Sequence, residues 1–281
     1  YEIGSGLVGS EMCIRDSIGF DLNRCLFIYV SHTLYQGGRK MLKVWIAGAN
    51  GQIGRALNDV LDPMQIETLN TDLDELDITD TDEVINFGSI NRPDVIINCT
   101  GITDTDECEK NPEHAYRVNA LGARNLSIVA RKCGAKIVQL STDDVFDGKS
   151  KKPYTEFDDT NPLTVYGRSK RAGENYVKEF THKHFIIRSN WVYGKGGNNF
   201  VNRVLETAEK GQALSVASDQ FGSPTSAKDL ARMILYLIDT NEYGTYHVTC
   251  SGVCNRYEFA TEILRLAGKE LSLIHISEPT R

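Results

Sequence analysis

The fold is decided by residues 42–54, LKVWIAGANGQIG, in which a largely apolar stretch precedes three glycines spaced three residues apart. The apolar residues predict a short β-strand that is buried on both faces, as in a parallel sheet. The glycines predict a tight turn, and the residues up to about Leu61, before Pro63, predict an α-helix. A glycine turn between a strand and a helix is the pattern that binds a dinucleotide.

Each glycine of this turn has a separate expected task. Gly48 lets the chain turn sharply, Gly51 leaves room for a pyrophosphate, and Gly54 allows the helix to pack closely on the strand. The start of the helix then offers free N–H groups and a positive dipole end to phosphate. The alternative is a plain strand–turn–helix corner that binds nothing.

Further apolar stretches along the chain alternate with helical ones. Residues 65–69, 94–98 and 136–140 are expected to be strands, and residues 113–133 are expected to form a helix. Strands that alternate with helices at this spacing predict an α/β fold with a Rossmann-type, doubly wound parallel sheet.

Carboxylates follow the second predicted strand. Asp72 or Asp74 could accept a hydrogen bond from the 2′-hydroxyl of an adenosine ribose, and Asp77 with Ile78 could lie near the adenine. No arginine stands in this stretch to bind a 2′-phosphate. The choice between NADH and NADPH therefore stays open at this point.

Polar residues that could do chemistry follow the third and fourth predicted strands. Ligands bind at the carboxyl ends of such strands, so the loop 99–103 and the residues 141–144, STDD, are expected to edge the site. Tyr166 and Lys170 are four residues apart on a predicted helix and share one face. A nearby ammonium favours a phenolate, and Thr142 could hydrogen-bond the same reacting oxygen. Taken alone, the Tyr–Lys spacing is more typical of a surface pair on an amphipathic helix.

Composition excludes several classes of protein. The 281 residues carry 31 Lys and Arg against 38 Asp and Glu, a net charge of −7, which argues against a nucleic-acid partner. No apolar stretch approaches the length of a membrane span, so no membrane partner is expected. Seven cysteines without CxxC spacing argue against a disulfide framework, so we expect a cytoplasmic location. Cys250 and Cys254 with His247 would be an incomplete ligand set, and we expect no metal site.

The two ends differ in pattern from the rest of the chain. Residues 1–40 and 271–281 show no sustained periodicity and resemble translated sequencing adapters, so we expect a disordered or non-native extension and a non-native tail. The native start would then be Met41. Between the ends, we expect a cofactor domain at 41–190, with a later return at 228–250, and a truncated substrate-binding part at 191–270.

As an ordered set, these and other motifs resemble the extended short-chain dehydrogenase/reductase superfamily and, within it, the dTDP-4-dehydrorhamnose reductases. The matching stretches are AGANGQIG (47–54), LDITD (76–80), RPDVIINCTGIT (92–103), STDDVFDG (141–148), NPLTVYGRSK (161–170), RSNWVYGKGGNNFV (188–201) and DQFGSPT (219–225). The resemblance implies reduction of the C4 keto group of dTDP-4-dehydro-L-rhamnose by NADPH or NADH. It implies a dTDP-sugar as the partner, and a homodimer is the expected assembly.

The resemblance also implies a role for particular residues. Tyr166 would be the proton donor, Thr142 would orient the substrate, and Lys170 would hold the nicotinamide ribose and lower the pKa of Tyr166. The implied substrate contacts are Thr142, Asp143 and Trp191, although Trp191 could equally be a buried core residue. The residues expected to bind the cofactor are Gly48, Gly51, Gln52, Ile53, Gly54, Asp77, Ile78, Gly101, Ile102, Thr103, Leu140, Tyr166 and Lys170.

One departure from the family pattern keeps other functions open. Asp144 replaces the family's tyrosine and creates adjacent carboxylates, which resemble the acidic pair of the sugar-nucleotide 4,6-dehydratases. A dehydratase or epimerase of the same superfamily is therefore one alternative. The other is a non-catalytic, NADP-binding regulatory subunit.

Overall fold

A computed structural model describes residues 42–64, 66–269 and 273–276. The expectations for residues 1–40 and for a start at Met41 lie outside these residues. The strands are β1 (Lys43–Ala47), β2 (Glu67–Thr71), β3 (Val95–Asn98), β4 (Lys136–Thr142), β5 (His184–Ser189), β6 (Val192–Tyr193), β7 (Leu214–Ala217), β8 (Phe221–Gly222), β9 (Thr225–Ser226), β10 (Gly244–His247), β11 (Cys254–Asn255) and β12 (Leu273–Ile276). The α-helices are α1 (Gln52–Leu61), α2 (Thr81–Asn91), α3 (Thr105–Lys110), α4 (Pro112–Tyr116), α5 (Ala123–Cys133), α6 (Val165–Phe180), α7 (Phe200–Glu209), α8 (Ala227–Asp239) and α9 (Arg256–Leu266).

The main sheet has six parallel strands in the order β10-β5-β4-β3-β1-β2. Both of its faces are covered by apolar clusters, which explains why the central strands are apolar almost throughout. The predicted doubly wound parallel sheet is therefore confirmed. The chain reverses direction across the sheet between β1 and β3, and ligands of such folds bind in the crevice at that point.

The glycine turn forms one wall of this crevice. Gly48 has a φ of 81°, and a Cβ atom placed on it would lie 2.9 Å from the backbone of Cys99 and Thr100. A Cβ on Gly54 would lie 2.4 Å from the carbonyl oxygen of Gly48. Both positions therefore need glycine, the first for its backbone conformation and close approach and the second for helix packing.

Two predicted elements differ in their bounds or regularity. The second strand begins at Glu67, later than expected, because Asp62–Met64 continue helix α1 as a 3₁₀ turn. The predicted helix 113–133 is interrupted by a π-helical segment, Arg117–Gly122. This widened turn carries Asn119, whose side chain hydrogen-bonds the loop after β3, and π turns of this kind are frequent at functional sites.

A second, smaller apolar core lies apart from the sheet, between α7, α9 and β7. Its buried residues are Val204, Val216, Phe259, Ala260, Ile263 and Leu264. Within the segment 271–281, for which we expected a non-native tail, Leu273–Ile276 form β12, which pairs in parallel with β7. The pairing satisfies backbone N–H and C=O groups along β7, whose partner in the described chain is β12.

Candidate active site

The carboxyl end of β4 and the first turns of α6 bring the predicted chemical residues together. The hydroxyl of Thr142, the last residue of β4, lies within hydrogen-bond reach of the Tyr166 phenol. Lys170 follows one turn later, and its Nζ would lie 3.4 Å from a Cβ placed on Gly101. Thr142 and Tyr166 thus face each other, and Lys170 points toward the loop after β3.

Local sequence fixes the position of Tyr166. The side chain of Thr164 caps α6 by accepting a hydrogen bond from the backbone N–H of Gly167 at 3.0 Å. A Cβ on Gly167 would lie 2.1 Å from the carbonyl oxygen of Asp144. A glycine at this position is what lets the helix approach the turn that follows Thr142.

The pKa of Tyr166 lies above its ordinary value. Burial is the main cause, the negative charge of Asp144 adds to it, and the hydrogen bond with Thr142 opposes both. We expected Lys170 to lower this pKa, but Lys170 is not among the groups that shift it. The phenol therefore keeps its proton at neutral pH, which is the form that a proton donor requires.

Lys170 is a buried amine with unusual surroundings. Its exposed fraction is 4%, and burial lowers its pKa to about 8 although Glu174 acts in the opposite direction. In the described part of the chain, no carboxylate lies within salt-bridge distance of its Nζ. The ammonium is therefore available to donate a hydrogen bond to an oxygen atom of a ligand.

A buried carboxylate next to these residues was missed by the sequence analysis. Glu174 accepts hydrogen bonds from Ser141 Oγ at 2.6 Å and from Arg188 Nε and Nη2, both at 2.8 Å. Burial alone would raise the pKa of Glu174, but the hydrogen bonds and charge of Arg188 outweigh it and hold the pKa below its ordinary value. This network fastens β4 and β5 to α6. The sequence did offer one signal of this role: Glu174 lies four residues after Lys170 and therefore on the same face of the helix.

Asn119 is a second residue that the sequence analysis missed. Its Oδ1 accepts from the backbone N–H of Ile102 at 2.9 Å, and its Nδ2 donates to the Ile102 carbonyl at 3.0 Å and to Ser169 Oγ at 2.9 Å. Asn119 therefore fixes the loop after β3 against α6. A buried polar residue within a predicted helix is the only local hint of this role.

The start of α1 fits the pyrophosphate of a dinucleotide. Its N-cap residue, Gly51, makes no side-chain capping bond, whereas side chains cap α2, α3, α4, α6, α7, α8 and α9. A Cβ on Gly51 would lie 3.4 Å from the carbonyl of Gly48 and is not excluded by packing. A glycine whose side-chain position is not filled by packing, together with uncapped N–H groups, is what an anion needs. Gln52 is held beside them by a hydrogen bond from its Nε2 to the carbonyl of Val192 at 3.1 Å.

The other residues expected at the cofactor lie within or after strands of the main sheet. Asp77 accepts from the backbone N–H of Thr79 at 2.8 Å, and Ile78 is 6% exposed and packs against Gly122. Leu140 is buried on β4, and Thr103 is exposed in the loop after β3. Asp72, considered for a ribose hydroxyl, accepts a hydrogen bond from the backbone N–H of Asn50 at 2.9 Å, which stiffens the glycine turn.

Two carboxylates form the opposite side of the site. Asp143 and Asp144 keep solvent access, yet the protein around them removes enough water to raise both pKa values, that of Asp144 to about 6. Asn190 Nδ2 donates to Asp143 Oδ2 at 3.2 Å, and the charge of Arg256 favours the ionised form of both carboxylates. Asn190 and Arg256 were not predicted, because no local pattern connects them to residues 143–144.

Trp191 lies between this polar group and the small apolar core. Its φ of 44° is rare for a residue other than glycine, and such strain is found where function fixes a side chain. One stacked contact joins its ring to Phe259 at 6.3 Å between centroids, and the Arg256 guanidinium lies 3.7 Å from the ring centroid. The indole therefore packs on the small apolar core, and its contact with a substrate stays a prediction.

Two negative findings apply to residues 42–64, 66–269 and 273–276. None of their helices has the length and apolar character needed to cross a membrane. Within the same residues, His, Cys, Asp and Glu side chains form no group of three that could hold a metal ion.

A glycine turn at the crevice of a doubly wound parallel sheet, with Thr142, Tyr166 and Lys170 at the carboxyl ends of its strands, defines a Rossmann-type protein of the extended short-chain dehydrogenase/reductase class. The chain belongs to the family described as the RmlD substrate binding domain, whose model matches residues 42–279.

Named relatives agree with this assignment. The spore coat polysaccharide biosynthesis protein SpsK of Bacillus subtilis (strain 168) is 40% identical over 237 residues, 84% of this chain and 83% of that protein. A dTDP-4-dehydrorhamnose reductase structure from Clostridium acetobutylicum is 45% identical with a TM-score of 0.82 over 84% of each chain. One from Bacillus anthracis, in complex with NADP, is 41% identical with a TM-score of 0.82 over 86% of each chain.

Proposed function

We propose that the protein reduces the C4 keto group of dTDP-4-dehydro-L-rhamnose to give dTDP-L-rhamnose, with NADPH or NADH as the reductant. The observation that carries the proposal is the pairing of Thr142 with a protonated Tyr166 phenol, one helical turn from the buried Lys170. Relatives that bear the name of this reductase, and one named for polysaccharide biosynthesis, support the same substrate class.

The cofactor is proposed to lie along the carboxyl edge of the sheet. When bound, it supplies a hydride to the C4 carbon of the sugar. The N–H groups at the start of α1 would bind its pyrophosphate, since that helix has no side-chain cap. The residues proposed to contact it are Gly48, Gly51, Gln52, Ile53, Gly54, Asp77, Ile78, Gly101, Ile102, Thr103, Leu140, Tyr166 and Lys170.

Tyr166 is proposed to protonate the oxygen of the reduced carbonyl. Its raised pKa keeps the phenol protonated until negative charge develops on that oxygen. Thr142 would hydrogen-bond the same oxygen and hold the carbonyl in line with the phenol. Lys170, mostly protonated at neutral pH, would hold the nicotinamide ribose and stabilise the phenolate that remains after proton transfer.

The sugar nucleotide is proposed to enter from the side of the small core. Thr142 and Asp143 would hydrogen-bond the sugar, since Asp143 already faces Asn190 across the site. Trp191 would lie against an apolar face of the substrate. Residues 41–190, with a return at 228–250, would thus serve the cofactor, and residues 191–270 would serve mainly the substrate. The return corresponds to α8 and β10, which pack on or extend the main sheet.

The proposal also includes a cytoplasmic location and a homodimer. The free thiols of the described cysteines Cys99, Cys108, Cys133, Cys250 and Cys254 suit a reducing compartment. Light scattering after gel filtration tests the dimer, and fractionation of the source cells tests the location.

The decisive experiment replaces Tyr166 with phenylalanine. Tyr166→Phe removes the donated proton and is expected to abolish NAD(P)H oxidation that depends on dTDP-4-dehydro-L-rhamnose, while cofactor binding measured by fluorescence stays near the wild-type value. Tyr176→Phe, on the same helix but outside the site, is the matched control and should retain activity. Undiminished turnover by Tyr166→Phe would refute the proposed mechanism.

A 4,6-dehydratase activity is the second candidate, and one observation favours it. Asp143 and Asp144 are adjacent carboxylates with raised pKa values, an arrangement suited to holding and moving a proton during water elimination. Incubation with dTDP-glucose distinguishes the two. A 4-keto-6-deoxy product formed without net consumption of NAD(P)H would favour the dehydratase.

A further inference from the structure

Two arginines lie together on an aromatic surface at the edge of the site. The guanidinium of Arg256 lies 3.7 Å from the centroid of the Trp191 ring and 4.9 Å from that of Phe200. The guanidinium of Arg203 lies 5.5 Å from the centroid of the same Phe200 ring. We call Arg203 and Arg256 the arginine pair. The rings hold both planar groups in place without using their N–H donors.

The arginine pair differs from other arginines in the described residues by its lack of a carboxylate partner. Arg188 and Arg171 pair with Glu174, Arg232 pairs with Asp229, and Arg265 pairs with Glu262. Across residues 42–64 and 66–269, neither member of the arginine pair has a carboxylate within 4.0 Å.

The charges of the pair lie close together and have no salt-bridge partner in the described residues. Arg203 is exposed and Arg256 is half-buried. Burial lowers the pKa of Arg256 to about 10; Asp143 and Asp144 oppose this, and the like charge of Arg203 adds to it. Arg256 nevertheless keeps its charge at neutral pH. Two like charges held together beside a cleft are a favourable place for an anion with more than one negative charge.

The position of the arginine pair relative to Thr142 and Tyr166 indicates which anion it could bind. Arg256 is near enough to Asp143 to favour its ionised form, and Asp143 directly follows Thr142, the residue beside the phenol of Tyr166. In a nucleotide sugar, the diphosphate is joined to the ring on the side away from C4. A sugar with its C4 oxygen at Thr142 and its ring beside Asp143 therefore directs its diphosphate toward Arg256.

We propose that Arg203 and Arg256 bind the diphosphate of the nucleotide-sugar substrate, an inference that rests on the proposed function. Guanidinium groups form paired hydrogen bonds with phosphate oxygens, and the two phosphates provide one such partner for each arginine. The adjacent carboxylates repel the same diphosphate, which keeps it on the aromatic side of the cleft. Arg256 thereby orients the sugar ring, and Arg203 adds affinity from the rim.

The test measures binding of dTDP and of thymidine, which lacks phosphate, to the full chain saturated with NADPH. Each arginine is expected to contribute about 10- to 100-fold to dTDP affinity, the range for hydrogen bonds to charged groups. Arg256→Gln and Arg203→Gln should therefore weaken dTDP by that factor and leave thymidine unchanged. Arg256→Lys keeps a charge but lacks the planar donors. Its affinity for dTDP should therefore lie between that of the wild type and that of Arg256→Gln.

Arg265→Gln is the matched control, since Arg265 lies on the same helix α9 and is exposed. Its dTDP affinity should equal that of the wild type. The inference is overturned if the ratio of dTDP to thymidine affinity is the same in the wild type and both glutamine variants. It is also overturned if both ligands weaken equally, because the arginines would then act through the fold or through Asp144.

Binding and turnover fail independently in this design. If the wild type does not reduce the keto sugar but dTDP affinity depends on both arginines, the diphosphate site stands and the proposed reaction fails. If turnover is normal and dTDP affinity is insensitive to both variants, the reaction stands and the diphosphate site is rejected.

Discussion

The two sides of the cleft are built by different means. On the side that we propose for the cofactor, backbone groups form the surface: the uncapped start of α1, the position above Gly51, and the contact between Gly54 and Gly48. On the side that we propose for the substrate, side chains form the surface, and Asp143, Trp191 and Arg256 come from three distant parts of the chain. A backbone surface suits a cofactor shared by many enzymes, whereas side chains can be changed to suit one substrate.

The two regions also differ in the burial and pairing of their charged side chains. Glu174 and Arg188, within the sheet region, are buried and fully paired, with exposed side-chain fractions of 0% and 4%. The carboxylates and arginines of the substrate side keep solvent access and lack such partners in the described residues. Paired charges hold elements together, whereas charges without a salt-bridge partner beside a cleft are free to pair with a ligand, as we propose for the arginines.

The largest expected effect comes from breaking the buried pair. Glu174→Gln leaves Arg188 buried without its counter-charge, and we expect a loss of about 3–5 kcal/mol in the free energy of unfolding. Urea denaturation followed by circular dichroism measures it. Glu262→Gln, which breaks an exposed pair on α9, is the control and should unfold like the wild type.

The same residue gives a pH dependence with a definite sign. Because the folded pKa of Glu174 lies below its unfolded value, its contribution is present above the unfolded pKa of about 4.5 and is lost as pH falls through the lower folded pKa. The difference in stability between wild type and Glu174→Gln should therefore shrink in acid. A constant difference from pH 7 to pH 3 would contradict this role.

The next largest effect is expected from substitutions of two glycines in the glycine turn, which should differ in their effects on stability and on cofactor binding. Gly54→Ala places a Cβ 2.4 Å from a carbonyl oxygen, and we expect a destabilisation of about 1–3 kcal/mol. Gly51→Ala should unfold near the wild-type midpoint but bind NADPH more weakly, since its Cβ would point into the proposed pyrophosphate position. Thermal melts and cofactor titrations of both variants separate packing from binding. Equal losses of stability would contradict the comparison.

The smallest effect concerns Asp144 on the substrate side. Its pKa of about 6 exceeds the unfolded value of 3.8, so folding stability decreases as pH rises through that interval and the penalty is complete at pH 7. Asp144→Asn should therefore be more stable at pH 7 by less than about 1 kcal/mol, because solvent screens an exposed carboxylate. Differential scanning calorimetry at pH 4 and pH 7 should show the gain only at pH 7.

Asp144→Asn should also change catalysis. Removal of the charge beside Tyr166 lowers the phenol pKa, so the basic limb of the pH–rate profile should move to lower pH. Asp159→Asn, an exposed carboxylate before α6, is the control and should leave the profile in place. An unmoved profile in Asp144→Asn would show that the carboxylate does not influence the phenol.

Much of the cofactor side could be predicted because its contacts are local. Gly48, Gly51 and Gly54 are spaced so that strand, turn and helix follow within thirteen residues, 42–54. Tyr166 and Lys170 share a helix face for the same reason, since helical periodicity fixes their spacing. Local patterns could not give the π turn at Asn119, because it depends on hydrogen bonds to a loop that is distant in sequence.

The substrate side could be predicted only through resemblance. Asn190 and Asp143 are 47 residues apart in the chain, and their hydrogen bond follows from the pairing of β5 with β4. Arg256 reaches Trp191 because α9 packs on α7 around Phe259. No spacing rule in the sequence connects such residues, so their contacts cannot be predicted from local patterns.

The sequence by itself determined the parallel sheet, the glycine turn and the Tyr166–Lys170 helix face, since strand and helix periodicities and glycine geometry act over short distances. Only the tertiary structure decided the protonation state of Tyr166, the pairing of Glu174 with Arg188, and the meeting of Arg203 with Arg256. Burial and charge depend on every group nearby in space, and the fold alone brings those groups together.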